Sequence, residues 1–445
     1  MLLKNLFLSL ILLLAMPVCA IEFIDVTPEE AGFSSEKLDQ IQKRFDALYE
    51  DGRIPNYAIG LYSGNKRFYA KARGKTEIGV GEPVDLDTIY PFASMTKPIV
   101  STGIMILIQE GRLSLDSRLS EFYPAFKNMF VAPNGSFEST FEEASREITI
   151  RDLLTHTAGF TYQTTVTGQG DVAKQYDDLE IFMDFQKATD DHMETLSQVP
   201  LLAHPGETFT YSISVDVLGA VIEKISGQRL NEFLKSKIFQ PLGMNDSDFW
   251  VREEDRKRFA EFYQPLQSGI GDRKDGSETV GVDDSKESID WKISKGTLFP
   301  IDDIFDSRPA HESGGAGLAT TVNDYARYCA MILADGEVNG KEILTKKTLE
   351  LHLSDLTPQL TSKSFSRDFG EGAAFMKFGG GYGIKYLGEP GADVGIDYYF
   401  WGGAFNTFFW IDRDNGHFGV FATNHSPPQY NISDDIEQIV DEAKL

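Results

Sequence analysis

The sequence predicts an α/β fold of the α+β type, in which an antiparallel sheet built from both chain ends is flanked by helices and a mainly helical region is inserted. Two observations predict it. Segments rich in aromatic and β-branched residues lie near both ends of the 445-residue chain, at Tyr57–Tyr62, Arg67–Ala72, Thr407–Ile411 and His417–Thr423. Helical signals dominate from residue 97 to about residue 249. A cleft between two such regions is a common place for a functional site.

The first twenty residues have the features of a secretory signal peptide. Lys4 gives a positive start, Leu6–Ala15 is an apolar run, and Val18–Ala20 offers small residues at the usual cleavage spacing. We expect cleavage after Ala20 and export to the periplasm or the exterior. The apolar run is shorter than the ~20 residues of a membrane anchor, and no later stretch is apolar enough to span a bilayer. Lipidation of Cys19 is a second alternative, although Val18 is a poor residue before a lipidated cysteine.

An amphipathic helix should open the mature chain. Apolar residues recur at helical spacing from Leu38 to Leu48, and Ser35 is a plausible cap for its first turn. Gly52 is expected to end this helix. The turn-rich tetrapeptide Ser63–Lys66 then joins the two N-terminal strands into a hairpin.

The C-terminal end mirrors this arrangement. Asp414–Gly416 is a strong hairpin turn between the two C-terminal strands, and a helix beginning near Ser433 closes the chain. Upstream, Thr321–Asp324 resembles a capping box that opens a helix reaching Leu333. Residues 262–300 are polar and aperiodic, and we interpret them as a long flap. Further helices are expected at Ile99–Glu110, Arg151–Thr155, Asp216–Ser226 and Leu230–Ile238.

These elements suggest one mature domain, residues 21–445, after a leader at 1–20. Its α/β part would comprise residues 21–95 and 300–445, and its helical part residues 96–299.

Composition excludes several classes of partner. Lysine and arginine total 42 and aspartate and glutamate total 68, giving a formal net charge of −26. Such a surface repels nucleic acid and anionic lipid. Without the leader, Cys329 is the only cysteine, and we expect it to be inert core. We expect no metal and no cofactor, because the seven histidines are scattered and the H-E-x-x-H motif is absent.

The tetrapeptide Ser94–Lys97 is the most informative motif. Lys97 follows Ser94 by three residues, so on a helix the two side chains lie one turn apart on the same face. Pro98 is tolerated in the first turn of a helix, and the apolar residues after it predict a buried helix. Serine is a weak nucleophile that needs a nearby base, and a lysine can be that base. Without context, a capping serine followed by a solvated lysine explains the same letters.

The surrounding sequence supplies that context. The segment Tyr90–Lys97 resembles the nucleophile motif of serine β-lactamases and penicillin-binding proteins, and is closest to the branch of class C β-lactamases and family VIII carboxylesterases. The resemblance covers residues 25 to 425 and implies a β-lactamase/transpeptidase-like fold. The other blocks that match in order are Arg151–Gly159, Pro205–Ser212, Pro241–Met244, Gly314–Leu318 and Trp401–Gly403.

The resemblance implies three catalytic roles. Ser94 would be the acylated nucleophile, and Lys97 its base partner. Tyr211 would relay protons to the leaving group and to the deacylating water. Since a phenol has an ordinary pKa near 10, it needs a cationic neighbour to do so at neutral pH, and Lys97 is the obvious candidate.

The family pattern also implies an oxyanion site. Its donors would be the backbone N–H groups of Ser94 and Ala404. Gly402 and Gly403 fit this role, because a strand edge without Cβ atoms can approach the substrate closely. A glycine bulge in an ordinary strand is the structural alternative.

Two departures from the β-lactamase pattern bear on the substrate. Ile213 stands where β-lactamases carry an asparagine that contacts the drug's amide carbonyl. Trp401 and Gly402 replace the cationic and hydroxyl residues that handle the lactam carboxylate. A small-molecule carboxylic ester, or an amide, is therefore the expected substrate rather than a lactam.

Two alternatives stay open. One is a β-lactamase or D-amino-acid peptidase that uses the same nucleophile. The other is a non-catalytic envelope binding protein, against which the intact Ser94, Lys97 and Tyr211 argue. The absence of G-x-S-x-G disfavours an α/β-hydrolase. His156 suits a structural hydrogen bond, and Gly379–Gly383 is a loop rather than a phosphate cradle.

Overall fold

Both chain ends contribute strands to a single large sheet. The structure, a computed structural model, describes residues 21–265, 291–293, 305–369, 375–391, 394–426 and 432–445. The strands of the large sheet are β1 Ile24–Asp25, β2 Asn56–Ser63, β3 Lys66–Gly74, β4 Met376–Phe378, β5 Gly383–Tyr386, β6 Ile396–Gly403, β7 Thr407–Asp412 and β8 His417–Ala422.

The strand order is β1-β3-β2-β8-β7-β6-β5-β4. Every neighbouring pair is antiparallel except β1 with β3. At the centre, β2 pairs with β8, with Ile59 opposite Phe421, so the N-terminal and C-terminal hairpins are hydrogen-bonded directly to each other. The predicted α+β fold, with an antiparallel sheet from both chain ends, is therefore confirmed.

Alternating side chains make the sheet apolar on both faces. In β8, Val420 and Ala422 point into the larger core, whereas Phe421 between them points into a smaller one. The same alternation places Tyr62 in the larger core and Ile59 in the smaller core. A sheet that is apolar on both faces must be covered on both, which explains why helices lie on either side of it.

The helices follow the predicted pattern along the chain. Their bounds are α1 Ser35–Glu50, α2 Thr96–Gln109, α3 Ile150–Leu154, α4 Gly170–Asp178, α5 Thr189–Leu196, α6 Ser214–Ser226, α7 Leu230–Leu234, α8 Gln240–Leu242, α9 Val322–Leu333, α10 Lys346–Leu353, α11 Ser366–Phe369 and α12 Ile432–Ala443. A π-helical turn, Lys235–Phe239, joins α7 to α8. Shorter 3-10 turns occur at Glu29–Ala31, Ala93–Met95, Leu119–Glu121, Pro124–Phe126, Pro133–Gly135, Glu253–Arg258 and Ser362–Phe365.

Four two-stranded pairs complete the described elements. They are Tyr90–Pro91 with Ala319–Thr320, Phe130–Val131 with Glu142–Glu143, Tyr263–Pro265 with Trp291–Ile293, and Glu337–Val338 with Lys341–Glu342.

The cap of α1 differs from the expectation by one residue. Ser34, not Ser35, accepts the hydrogen bond from the Lys37 amide, at 3.4 Å. The reason is local: Ser34 has the extended backbone of a cap, whereas Ser35 is already helical and its hydroxyl donates to Glu29.

Two further expectations about helices hold. Thr321 caps α9 by accepting from the Asp324 amide at 3.0 Å. Cys329 on α9 is fully buried, and this burial raises the pKa of its thiol well above the ordinary value, as expected for an inert core residue.

Several expectations fall on other parts of the chain. The leader at 1–20 lies outside the described residues, as do residues 266–290 and 294–300 of the predicted flap. The division of the mature chain at residues 95 and 300 stays a prediction. In the ranges given above, no helix is both long and apolar enough to cross a bilayer, and no three histidine, cysteine or acidic side chains cluster to hold a metal ion.

Candidate active site

Ser94 lies in a tight turn between a short strand and a buried helix. Tyr90–Pro91 pairs with Ala319–Thr320, the 3-10 turn Ala93–Met95 follows, and α2 begins at Thr96. Ala93 has a φ of 45°, a left-handed conformation that few residues other than glycine adopt. Within this turn Ser94 is partly exposed, whereas Ala93 and Met95 are buried. The strained turn therefore presents the serine to solvent at the start of a helix.

The Lys97 side chain is buried next to Ser94. It is 0% exposed, and its Nζ donates to Ser94 Oγ at 3.1 Å and to the Gly315 carbonyl at 2.8 Å. Among the described residues no carboxylate forms an ion pair with it. A buried amine without an anionic partner is costly, so this lysine is a candidate for function rather than for stability. The structure thus brings together the two residues of the tetrapeptide motif.

Two tyrosines flank the lysine. Lys97 Nζ lies 4.7 Å from the centroid of the Tyr211 ring and 5.5 Å from that of Tyr162, and the two rings are 5.5 Å apart. The expected cationic neighbour of Tyr211 is present, but it contacts the ring face rather than the phenol oxygen. Tyr211 Oη is buried and has no hydrogen-bond partner within the described ranges. The tyrosine is therefore adjacent to the Ser94–Lys97 pair with its hydroxyl unengaged.

Sequence reasoning missed Tyr162. Burial raises the pKa of its phenol well above the ordinary value. It comes three residues after Gly159, the end of a block already matched to the family, and its position in an irregular segment gave no periodic signal. Only the packing against Lys97 identifies it.

Three hydrogen bonds, to His156 and Asp368, hold the Tyr211 segment in place. The Thr210 amide donates to the His156 carbonyl at 2.9 Å, and the Ser212 amide donates to His156 Nδ1 at 3.3 Å. The Tyr211 amide itself donates to Asp368 Oδ2 at 2.9 Å. Burial lowers the pKa of His156 well below its usual value, so the ring is neutral with Nδ1 as acceptor. His156 is thus a structural hydrogen-bonding residue, as the sequence suggested.

The glycine strand edge lies against the nucleophile turn. A Cβ on Gly403 would lie 2.4 Å from the Phe92 carbonyl oxygen and 2.2 Å from Thr407 Oγ1, whereas one on Gly402 would meet nothing closer than 3.3 Å. Thr407 Oγ1 donates to that same Phe92 carbonyl at 3.1 Å. Gly403 is the last paired residue of β6, and the N–H of Ala404 after it has no acceptor in the described part of the chain. Only glycine fits at 403.

Aromatic residues surround the remaining side of the site. Trp401 is 4% exposed, and its ring lies 5.5 Å from Tyr211 and 5.5 Å from Phe369. Phe369 belongs to α11, whose Asp368 holds the Tyr211 amide, and sequence reasoning did not single it out. Trp401 Nε1 is buried and unpaired within the described residues. The surroundings of Tyr211 are therefore mostly apolar.

Ile213 is placed differently from the other predicted site residues. It immediately precedes α6 and is 1% exposed, within the larger apolar core. An apolar, buried side chain thus occupies the position at which the resemblance would place an amide.

The fold and the site together define a class. A serine that accepts a hydrogen bond from a buried lysine one helical turn away, beside a tyrosine and a glycine strand edge on a sheet covered by helices, is the arrangement of the β-lactamase-like hydrolases. The family model described as Beta-lactamase matches residues 41–442, and the chain belongs to this family. The resemblance seen in the sequence is confirmed.

Similar proteins include named esterases. The chain is 28% identical over 407 residues to esterase EstB of Burkholderia gladioli, covering 89% of this chain and 91% of EstB. It is 26% identical over 394 residues to lovastatin esterase of Penicillium rubens, covering 85% and 90%. Its fold is similar to that of EstCE1, a hydrolase with promiscuous acyltransferase activity, with a TM-score of 0.70 and 23% identity over 92% of this chain and 99% of EstCE1.

Proposed function

We propose that this hydrolase cleaves carboxylic esters, or amides, through an acyl-enzyme on Ser94. The observation that carries the proposal is the contact of 3.1 Å between the partly exposed Ser94 hydroxyl and the fully buried Lys97 amine. A serine needs a base within hydrogen-bond reach to attack a carbonyl, and Lys97 is at that distance.

This geometry supports the following acylation step. Ser94 Oγ attacks the carbonyl carbon while Lys97 Nζ takes the hydroxyl proton. The negative charge that develops on the carbonyl oxygen is held by the backbone N–H groups of Ser94 and Ala404. Collapse of the tetrahedral intermediate breaks the bond to the alcohol, which leaves with a proton from Lys97, directly or through Tyr211.

Deacylation reverses the roles. A water molecule attacks the acyl carbon, and its proton passes to Lys97, directly or through Tyr211. The bond between the acyl carbon and Ser94 Oγ then breaks, the carboxylic acid is released, and Lys97 returns the proton to Ser94 Oγ. The unengaged Tyr211 Oη supports this relay, because no group in the described residues competes for its hydrogen bond. Lys97 Nζ lies beside this relay, 4.7 Å from the centroid of the Tyr211 ring.

The apolar surroundings favour an ester over a lactam. A β-lactam presents a carboxylate and an amide that need polar partners, whereas Ile213 offers none and Trp401 offers a single N–H. Leaving a buried polar group unpaired costs about 1–3 kcal/mol, and more when it is charged. An uncharged ester avoids both losses, and its alkyl part can pack on Trp401 and Phe369. The names of the esterases similar to this chain support the same choice.

A substrate panel tests the proposal. With residues 21–445, we expect kcat/KM for p-nitrophenyl acetate and butyrate well above that for nitrocefin and for D-amino-acid amides. Ser94→Ala should lose about 10³-fold or more, since the nucleophile and its partners act as a unit. Efficient nitrocefin turnover with negligible ester hydrolysis would instead establish the lactamase alternative. No turnover or labelling of any substrate would favour the binding-protein alternative.

We also propose that the mature chain is exported. The leader-like residues 1–20 support this, and Ile21 is buried, with its carbonyl accepting from Arg327 Nε at 3.2 Å. Mass spectrometry of the protein expressed with its leader should find a periplasmic or extracellular chain beginning at Ile21. A chain that is retained in the cytoplasm with Met1 intact contradicts export.

A further inference from the structure

A buried carboxylate behind the site has no part in the chemistry described so far. Asp216, in the first turn of α6, is 3% exposed, and its Oδ1 accepts from Ser313 Oγ at 2.6 Å and from the Gly315 amide at 3.0 Å. His311 Nε2 lies 3.8 Å from the same oxygen. Burial opposes the charged form, yet His311 and Ser313 favour it, and the pKa of Asp216 lies below its ordinary value. Asp216 is therefore an anion held inside the protein.

A continuous path of hydrogen bonds leads from this anion to the nucleophile. Ser313 Oγ donates to Asp216 and accepts from the Ala316 amide at 3.1 Å. That N–H shares a peptide group with the Gly315 carbonyl, which accepts from Lys97 Nζ at 2.8 Å. Lys97 Nζ in turn donates to Ser94 Oγ at 3.1 Å. From Lys97 to Asp216 each group donates toward the carboxylate, so these three hydrogen bonds polarise one another in the same direction, whereas the bond from Lys97 to Ser94 points toward the nucleophile.

Two of the three glycines in the loop Ser313–Gly317 are required by its contact with the start of α6. A Cβ on Gly315 would lie 2.4 Å from Asp216 Oδ2, and a Cβ on Gly314 would lie 2.4 Å from the Val215 carbonyl oxygen. The loop Ser313–Gly317 is thus pressed against the start of α6. Its glycines allow Asp216 to reach the peptide that holds Lys97.

We infer that Asp216 and Ser313 are positioning residues for Lys97, acting through the Gly315–Ala316 peptide group. The charge of Asp216 orients the Ser313 hydroxyl and strengthens the Gly315 carbonyl as an acceptor. That carbonyl fixes Lys97 Nζ where it can take the proton of Ser94. The inference deepens the proposed function and rests on it, because it matters to the rate only if Lys97 is the base.

Ser313→Ala is the most direct test, since it removes only the hydroxyl in the middle of the path. Using p-nitrophenyl butyrate, we expect kcat to fall about tenfold or more with KM within about twofold, because Ser313 is buried behind Lys97. The rate of fluorophosphonate labelling at Ser94 should fall by the same factor. Asp216→Asn keeps the shape and the oxygen acceptor but loses the charge, and it should also lower kcat at unchanged KM.

Ser247→Ala is the matched control. Ser247 is also a buried serine whose hydroxyl donates to a buried carboxylate in the first turn of a helix, here Asp324 of α9 at 3.0 Å. We expect it to lower the unfolding temperature about as much as Ser313→Ala while leaving kcat within about twofold of wild type. An equal loss of kcat in the control overturns the inference, because the effect would then be one of stability.

The failure of the inference and that of the proposed function give different results. If wild type hydrolyses the ester and labels at Ser94, but folded Ser313→Ala and Asp216→Asn keep its kcat, the inference is wrong and the proposed function stands. If wild type neither hydrolyses esters nor labels at Ser94, the proposed function itself is wrong. Should Ser313→Ala fail to fold, Asp216→Asn decides alone, by the same split between kcat and KM.

Discussion

Adding one methyl group at Gly403 should reduce activity about 10²-fold, whereas the same change at Gly402 should have little effect. A Cβ at 403 would lie 2.4 Å from the Phe92 carbonyl oxygen and 2.2 Å from Thr407 Oγ1. The Thr407 hydroxyl can rotate away. The Phe92 carbonyl oxygen cannot, because it belongs to the backbone two residues before Ser94. To bring the new Cβ and the Phe92 carbonyl oxygen to an ordinary van der Waals separation, β6 and the nucleophile turn must move apart by about 1 Å.

The size of the effect follows from that shift. Overpacking costs about 1–3 kcal/mol of stability, and a displacement of about 1 Å at a reacting group costs about 10²-fold in rate. We therefore expect Gly403→Ala to reduce kcat/KM for p-nitrophenyl butyrate by about 10²-fold and to lower the unfolding temperature by several degrees.

Gly402→Ala is the control, since its Cβ would meet the Thr407 carbonyl at 3.3 Å and nothing closer. Its kcat/KM should stay within about threefold of wild type. Thermal unfolding, followed by circular dichroism, distinguishes a variant that has unfolded from a folded variant whose active-site residues have been displaced. Full activity in Gly403→Ala, or equal losses in both variants, would refute the placement of this strand edge against the nucleophile turn.

Three further predictions concern single side chains. Lys97→Ala and Tyr211→Phe should each lower kcat by about 10²-fold or more in steady-state assays. The loss of kcat in the double variant should be much smaller than the product of the two single losses. Near-full activity in both folded single variants would show that the proposed base and relay are wrong. His156→Ala should lower both stability and kcat, because it removes the ring nitrogen that accepts from the Ser212 amide next to Tyr211, whereas His204→Ala, at a partly exposed histidine, should change neither in paired melting and rate measurements. Glu437→Gln should remove a pH dependence of stability: burial raises the pKa of Glu437 from 4.5 to about 8, so the folded state binds this proton more tightly and stability falls as pH rises through that window. Chemical denaturation of this variant at pH 5 and pH 9 should show a smaller loss than wild type, and an unchanged loss would contradict that shift.

Local sequence patterns predicted the two hairpins of the sheet, β2–β3 and β7–β8, because their strands and turns are determined locally. The turn Asp414–Gly416 is one example. Asp412 accepts from both nitrogens of Asn415, and Gly416 has a φ of +73° that suits glycine. Such contacts span only a few residues, so they leave a signature in consecutive letters.

The nucleophile motif was found for a related reason. Ser94 and Lys97 are three residues apart, so helix geometry alone brings their side chains together. The other matched blocks each contain a short run of fixed letters, and their order along the chain pointed to the family.

The rest of the site is assembled from distant segments, which periodicity does not reveal. Tyr162, Asp216 and Ser313 reach the site from three separate segments, each in a stretch that also fits an ordinary core or loop. Phe369 comes from a short helix late in the chain and contacts Tyr211 and Trp401 only through the fold. Their roles depend on distances that only the packed structure provides.

The central claim, that Ser94 is the nucleophile, is tested most directly by identifying the covalently modified residue. The protein is incubated with a fluorophosphonate probe or with a slowly deacylating ester, digested, and analysed by tandem mass spectrometry. We predict a single adduct on Ser94, its absence in Ser94→Ala, and a much slower reaction in Lys97→Ala. An adduct on a different serine, with Ser94 unmodified, would contradict the proposed mechanism.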